Sequence, residues 1–245
     1  MADFSIAKAL ASSLARDAAR PLVTQVWTGG ERAELSVRTF ENNVAKAANL
    51  LQDEIESGPG SRILLQLPLH WQHSVWLTAG ALVGTQIATS AGPHDSDVEL
   101  LAAFVDEEHA DQGFDFPTYV VSLHPLGLPI GEVPGGTVDL AREVRSFSDV
   151  FSSYEIVTAQ TPWLERDDSV LSQSDAIDQA TDLARTIGLA PGGRLLLSGK
   201  VNPSTIVALA ALPLALDASI VICGPDVEID VVAQTERCTA VFVAS

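Results

Sequence analysis

The sequence predicts an α/β fold made of two related βαβ-type lobes with mostly parallel sheets. Two observations carry this reading. Uninterrupted apolar runs, Ile63-Leu64-Leu65 and Leu195-Leu196-Leu197, suit short strands covered on both faces, and each is followed by an apolar helical pattern and a second apolar strand. The turn Pro59-Gly60-Ser61-Arg62 returns as Pro191-Gly192-Gly193-Arg194, and the same register recurs at Gly92-Pro93 and Gly224-Pro225. Both copies read helix, PG turn, strand, helix, strand. A repeat of that length is a duplicated α/β half rather than a solenoid unit.

The elements follow in order. The first twenty residues read as an amphipathic helix, with Asp3, Lys8, Arg16, Asp17 and Arg20 spread through it, so the stretch lacks the apolar core of a signal peptide. Residues 22–27 and 34–37 flank Gly29-Gly30, a hairpin signal. Thr39 is placed to cap a helix running to about residue 56, with Val44, Ala47, Ala48, Leu51 and Ile55 on one face. Gly58-Pro59-Gly60 breaks it, a strand covers 63–67, a helix 72–83 and a strand 86–90. A strand is expected at 119–123 and a short helix at 137–147 after a glycine-bearing loop. Ser172 is placed to cap a helix over 173–187 that Gly188 closes, with Asp175 in its first turn. The strand 195–198, a helix over 205–216 and strands at 219–223 and 240–244 complete the pattern. The division expected is an N-terminal lobe at 1–120, an irregular connector at 121–169 and a second lobe at 170–245.

Composition narrows the function classes. The formal net charge is −18, which repels nucleic acid and anionic membrane, so neither is expected as a partner. The run 206–223 is nearly all apolar, but Asp217 and Pro213 fit a buried helix and strand better than a membrane span. A cytoplasmic protein is expected. Cys223 and Cys238 have no CxxC spacing and read as small buried residues of strands. Only three lysines exist, Lys8, Lys46 and Lys200, and any chemistry that needs a lysine must use one of them.

Residues 35–90, with LSVRTF, GPGSRILLQLP and a helix ending at Val83-Gly84, resemble the opening of the AMP-binding (adenylate-forming, acyl-CoA synthetase-like) enzymes. Residues 171–223 are similar to a later segment of that family. The nearest likeness is to a small high-GC bacterial family related to its N-terminal domain. The resemblance implies a phosphate-holding loop rich in Ser, Thr and Gly and ending in Pro-Lys-Gly between the two stretches. No such loop stands between Ala91 and Asp168, and no lysine does either. Where the family has an aromatic-His pair after the second PG turn, this chain has Ser198-Gly199-Lys200-Val201-Asn202. The chain also stops before the family's ribose-binding Asp, hinge and lid with its catalytic lysine. No catalytic residue carries over.

Two places remain as candidate anion sites, and AMP or ATP is the cofactor that the resemblance would admit. One is Gly135, Gly136 and Thr137, a glycine-rich loop opening a helix. The other is Ser198, Gly199 and Lys200 with Ser204 and Thr205, at a strand end before a helix. Each also reads as an ordinary loop or helix cap. His70 and His73 can share a face but lack a third ligand, and Asp106-Glu107-Glu108-His109 reads as a solvated face. Three readings stay open: a non-adenylating homologue that works by binding or protein interaction, a nucleotide binder or ligase-like enzyme with an atypical phosphate site and a partner-supplied lid, and an unrelated α/β domain. A homodimer is expected from an uncovered sheet edge or apolar face.

Overall fold

The computed structural model describes residues 4–89, 98–166 and 169–244. The first half contains α1 (Ile6–Asp17), β1 (Pro21–Val26), β2 (Arg32–Ser36), α2 (Val37–Asp53), β3 (Arg62–Gln66), α3 (Trp71–Val83), β4 (Gln86–Ala88), β5 (Leu100–Val105), β6 (Thr118–Val120), β7 (Thr137–Asp139) and α4 (Leu140–Glu143). The second contains β8 (Pro162–Arg166), β9 (Ser169–Ser172), α5 (Gln173–Thr186), β10 (Arg194–Gly199), α6 (Pro203–Ala210), α7 (Leu212–Ala215), β11 (Ser219–Cys223), α8 (Ile229–Thr235) and β12 (Ala240–Ala244). Two compact units form: one from Met1–Glu41, Pro68–Ser74 and Ser174–Ser245, the other from Asn42–Leu67 and Val75–Gln173. Both are assembled from separated stretches, so they differ from the contiguous division at residues 120 and 169 read from the sequence.

The first unit holds a five-stranded sheet in the order β12-β10-β11-β1-β2, parallel except for β2. Its middle is the apolar run that the sequence marks: Leu195, Leu196, Leu197, Ile220, Val221 and Ile222 are fully buried. Ser5 caps α1 by accepting from Lys8 N–H, and Asn202 caps α6 in a capping box with Thr205. The single helix expected over 205–216 is two, α6 and α7, with Ala211 between them. Pro213 lacks the N–H that an unbroken helix would use.

The second unit holds a seven-stranded sheet in the order β7-β6-β5-β3-β4-β8-β9, parallel except for β9. Trp76 stacks on Phe104 and Phe104 on Tyr119, with ring centroids 4.7 and 5.2 Å apart. Trp163 on β8 is fully buried and donates its indole N–H to Leu77 O at 2.9 Å.

The duplication is visible strand for strand. The order β5-β3-β4-β8-β9 in one sheet matches β12-β10-β11-β1-β2 in the other, with the same parallel and antiparallel pairings. Gln86 N–H donates to Ser61 O at 2.9 Å, and Ser219 N–H donates to Gly193 O at 3.0 Å. The PG glycines are left-handed in both copies, Gly60 at φ 90° and Gly192 at φ 73°. The equivalence of the Gly-Pro pairs can be followed only at Gly224-Pro225, since Gly92 and Pro93 lie outside the described residues. The hairpin β1–β2 precedes β3 in the chain but joins the sheet of β10, while β8–β9 precedes β10 but joins the sheet of β3. Each half of the sequence therefore supplies the hairpin that completes the other half's sheet.

Candidate functional site

At the carboxyl end of β10 the chain turns sharply at Gly199, whose φ is 99°. Lys200 N–H donates to Ala244 O at 3.2 Å, which ties the turn to the end of β12. Asn202 then opens α6. Its Oδ1 accepts from the N–H groups of both Ser204 and Thr205 at 3.0 Å, and Thr205 Oγ1 accepts from Asn202 N–H at 2.8 Å. The structure thus brings Ser198, Gly199, Lys200, Ser204 and Thr205 together at one strand end. The cap occupies the amides of Ser204 and Thr205, leaving the exposed side chain of Lys200 as the cation of this group.

Gly135 and Gly136 are arranged differently from the expectation. The loop does not open a helix. Thr137 N–H and Oγ1 both donate to Pro134 O, at 3.1 and 2.8 Å, and Thr137 then begins β7, pairing with Thr118. β-Branched Thr137 and Val138 suit that edge strand. The helix starts only at Leu140 and is four residues long. Its first turn is already supplied with an anion, since Asp139 Oδ1 accepts from Ala141 N–H at 3.1 Å while Oδ2 accepts from Ile130 N–H and Arg142 Nε, each at 3.0 Å.

The other titratable groups have local duties. His70 packs between Trp27 and Trp71, with ring centroids 5.8 and 5.6 Å away, and His73 Nδ1 lies 3.0 Å from Pro68 O. Asp106 caps the turn at 107–109 and meets His109 Nδ1 at 2.5 Å. Among the described residues no group of three or more His, Cys, Asp or Glu is placed to hold a metal ion. No described helix is long and apolar enough to cross a membrane. Cys223 and Cys238 are free thiols. Burial pushes both up to about 11, with Glu236 adding to it. Cys223 lies in β11 as expected, but Cys238 sits in the turn between α8 and β12.

Two hollows lie beside the PG turns. In the first unit a cavity of about 470 Å³ is lined by Phe4, Ser12 and Arg16 from the α1 region and by Pro191, Leu216 and Asp217. In the second a notch of about 160 Å³ is lined by Gln52, Glu56, Pro59, Val83, Tyr154 and Glu155. Beyond the PG turns themselves, neither is marked by a motif. The sequence signal nearest to the second is the run 147–156, in which Phe147, Val150, Phe151, Tyr154 and Ile156 alternate with serine and acid.

No family model matches the chain. A curated protein of Mycobacterium tuberculosis, the TIGR03089 family protein, is 36% identical over 131 residues, covering 49% of this chain and 50% of that protein. The chain thus spans about half the length of the curated relative it matches. Among solved structures, the acetoacetyl-CoA synthetase from Streptomyces lividans superposes with a TM-score of 0.73 at 17% identity, covering 99% of this chain and 42% of that one. At that identity the likeness is one of fold. The chain has a mixed α/β architecture with two mostly parallel sheets, similar to a domain of an AMP-binding enzyme.

Proposed function

We propose that this chain is a degenerate, non-adenylating homologue of the N-terminal domain of AMP-binding enzymes and acts by binding, as a protein-interaction module. The carrying observation is where the lysines stand. None lies between residues 91 and 168, where the family's phosphate loop would be. Lys46 Nζ donates to Phe147 O at 2.6 Å, Lys8 belongs to α1, and Lys200 follows β10. A triphosphate held in the family's manner needs a lysine on a glycine-rich loop, and none of these three is so placed. The test is ATP–pyrophosphate exchange with a panel of carboxylic acids. No exchange above background is expected, and exchange with any acid defeats the reading.

The alternative is a nucleotide-binding, ligase-like protein with an atypical phosphate site. The exposed Lys200 at the carboxyl end of a central parallel strand favours it, because ligands of open α/β sheets gather at that edge. A thermal-shift screen with ATP, AMP, coenzyme A and acyl adenylates separates the two, since a bound ligand raises the melting temperature by mass action. A shift abolished by Lys200→Ala supports the alternative. A homodimer is proposed as well: among the described residues nothing pairs with the outer edge of β12, whose Ala-Val-Phe-Val-Ala carries no charge to block strand addition. A dimeric mass by light scattering is expected.

A further inference from the structure

In the second unit, residues 147–155 run as an extended strap along α2. The strap is held by side chains that stand three residues apart on the helix. Lys46 Nζ donates to Phe147 O at 2.6 Å; Asn49 Nδ2 donates to Ser148 O and Val150 O at 2.9 and 3.0 Å. Gln52 donates to Ser152 O at 3.2 Å and accepts from Tyr154 N–H at 2.9 Å, and Tyr154 OH donates to Asp53 Oδ1 at 2.9 Å. These bonds satisfy the carbonyls of Phe147, Ser148, Val150 and Ser152 and tie the strap to the helix. The strap presents Val150 and Tyr154 at 74 and 78% exposure, with Ile156 just past its end at 88%; among the described residues Leu126 is the other large apolar residue above 70%. A segment bonded to a helix along its backbone, with three large apolar side chains left in water on it and at its end, marks an interaction surface.

The exposed charge beside these residues is acidic. Asp53, Glu56, Asp149 and Glu155 are exposed beside the apolar residues, and Glu56 and Glu155 line the 160 Å³ notch together with Tyr154. The nearby cation, Lys46, is bonded to the strap's own backbone. Charge complementarity thus selects the occupant. A second copy would bring the same acids to the same face, and an anionic membrane would be repelled. We propose that this face docks a cationic amphipathic segment of another protein, its apolar side chains on Val150, Tyr154 and Ile156 and a Lys or Arg side chain entering the notch between Glu56 and Glu155. The proposal rests on the interaction reading above and gives the partner's chemistry.

The test titrates the full chain with a labelled amphipathic peptide of leucine and lysine, and with its leucine and glutamate counterpart, by fluorescence anisotropy at physiological salt. The lysine peptide is expected to bind and the glutamate peptide not to. Tyr154→Ser with Ile156→Ser, and separately Glu56→Gln with Glu155→Gln, should each weaken binding about tenfold, as losing central anchors does. Glu107→Gln with Glu108→Gln removes the same charge from an exposed turn elsewhere and should leave binding unchanged. All of these are surface substitutions, and a melting curve for each shows that it folds. The proposal is overturned if the site variants bind as wild type or if the control weakens binding equally. It is also overturned if light scattering shows a dimer that Ile156→Ser dissolves, which would make a second copy the occupant. The exchange assay judges the interaction reading by itself: a protein that fails exchange and also ignores the peptide keeps that reading and loses this face.

Discussion

Arg62 opens β3 with its guanidinium buried, where it meets both oxygens of Glu165 on β8, the second at 2.8 Å; Gln86 on the strand between adds a bond to Glu165 Oε1 at 2.5 Å. The side chains are 8 and 3% exposed, so each ion depends on the other for what water would supply. Arg194 stands at the same point of the other copy. It donates to Thr24 Oγ1 at 2.9 Å and to Glu236 Oε2 at 2.6 Å, so there the carboxylate comes from the residue that follows α8. Arg62→Met takes the bidentate guanidinium away from a buried carboxylate and should cost about 3–5 kcal/mol in urea unfolding, while Arg62→Met with Glu165→Leu should cost well under the sum of the single changes. By comparison Arg185→Ala, which breaks a solvent-exposed pair with Asp182, should stay within about 0.5 kcal/mol. Glu236 adds a pH dependence. Its hydrogen bond from Arg32 holds the carboxyl below the usual range, burial opposes this, and Arg194 reinforces it. A folded value below the unfolded one gives stability that is complete above about pH 4.3 and is lost as the pH falls through the folded value. The stability gap between wild type and Glu236→Gln should therefore shrink on moving from about pH 6 to about pH 3, read from urea midpoints.

Among elements, the turn from α3 into β4 and its counterpart before β11 solve one problem in two ways. Both need a left-handed residue. Gly84 has φ 89° and Asp217 has φ 53°. A Cβ on Gly84 would lie 2.9 Å from Pro59 Cγ and 3.0 Å from Val157 Cγ2, so only glycine fits. Asp217 instead points its carboxylate at Arg16, Arg20 and Ser13. Burial alone would raise that carboxyl, but the two arginines outweigh it and hold it low. Gly84→Ala combines a clash with a disfavoured φ and should cost more than about 1 kcal/mol, measured by thermal melting. What the sequence discloses about such elements follows from range. The PG turns, the first hairpin and the runs at 63–65 and 195–197 are set by neighbours within a few residues and are legible. β8 is not, because Trp163-Leu164-Glu165-Arg166 carries charge where a central strand should be apolar. Glu165 is admissible there because Arg62, 103 residues earlier, meets both of its oxygens. Likewise Gly135-Gly136-Thr137 resembles a helix start locally, and the pairing of β7 with β6 overrides it. The Lys200 group was legible as a strand end, since β10 and α6 are both strong local patterns. A helix cap was legible there as the alternative reading, but the residue that makes it, Asn202, was not, because the sequence draws attention to Lys200.

For the molecule as a whole, the exchange of hairpins makes the two sheets depend on one another through the chain. A fragment of residues 1–160 keeps β3 to β7 but loses β8 and β9, and its own β1 and β2 have no sheet to join. A fragment of residues 161–245 keeps β10 to β12 and loses β1 and β2. The lost pieces are core, since Leu22, Val23, Trp163 and Leu164 are all buried. An isolated two-stranded hairpin is at best marginal in water, so neither fragment retains a place to put its spare strands. Neither should show a cooperative melt alone, although each contains one full copy of the repeat. Mixed from denaturant, the two should recover the far-UV circular dichroism and the single transition of the intact chain. Their recovery should be slow, because every closing contact joins distant segments. A fragment that melts cooperatively by itself would mean that the hairpins are dispensable additions, and the duplicated halves would then be autonomous lobes of the kind that the repeat in the sequence suggests.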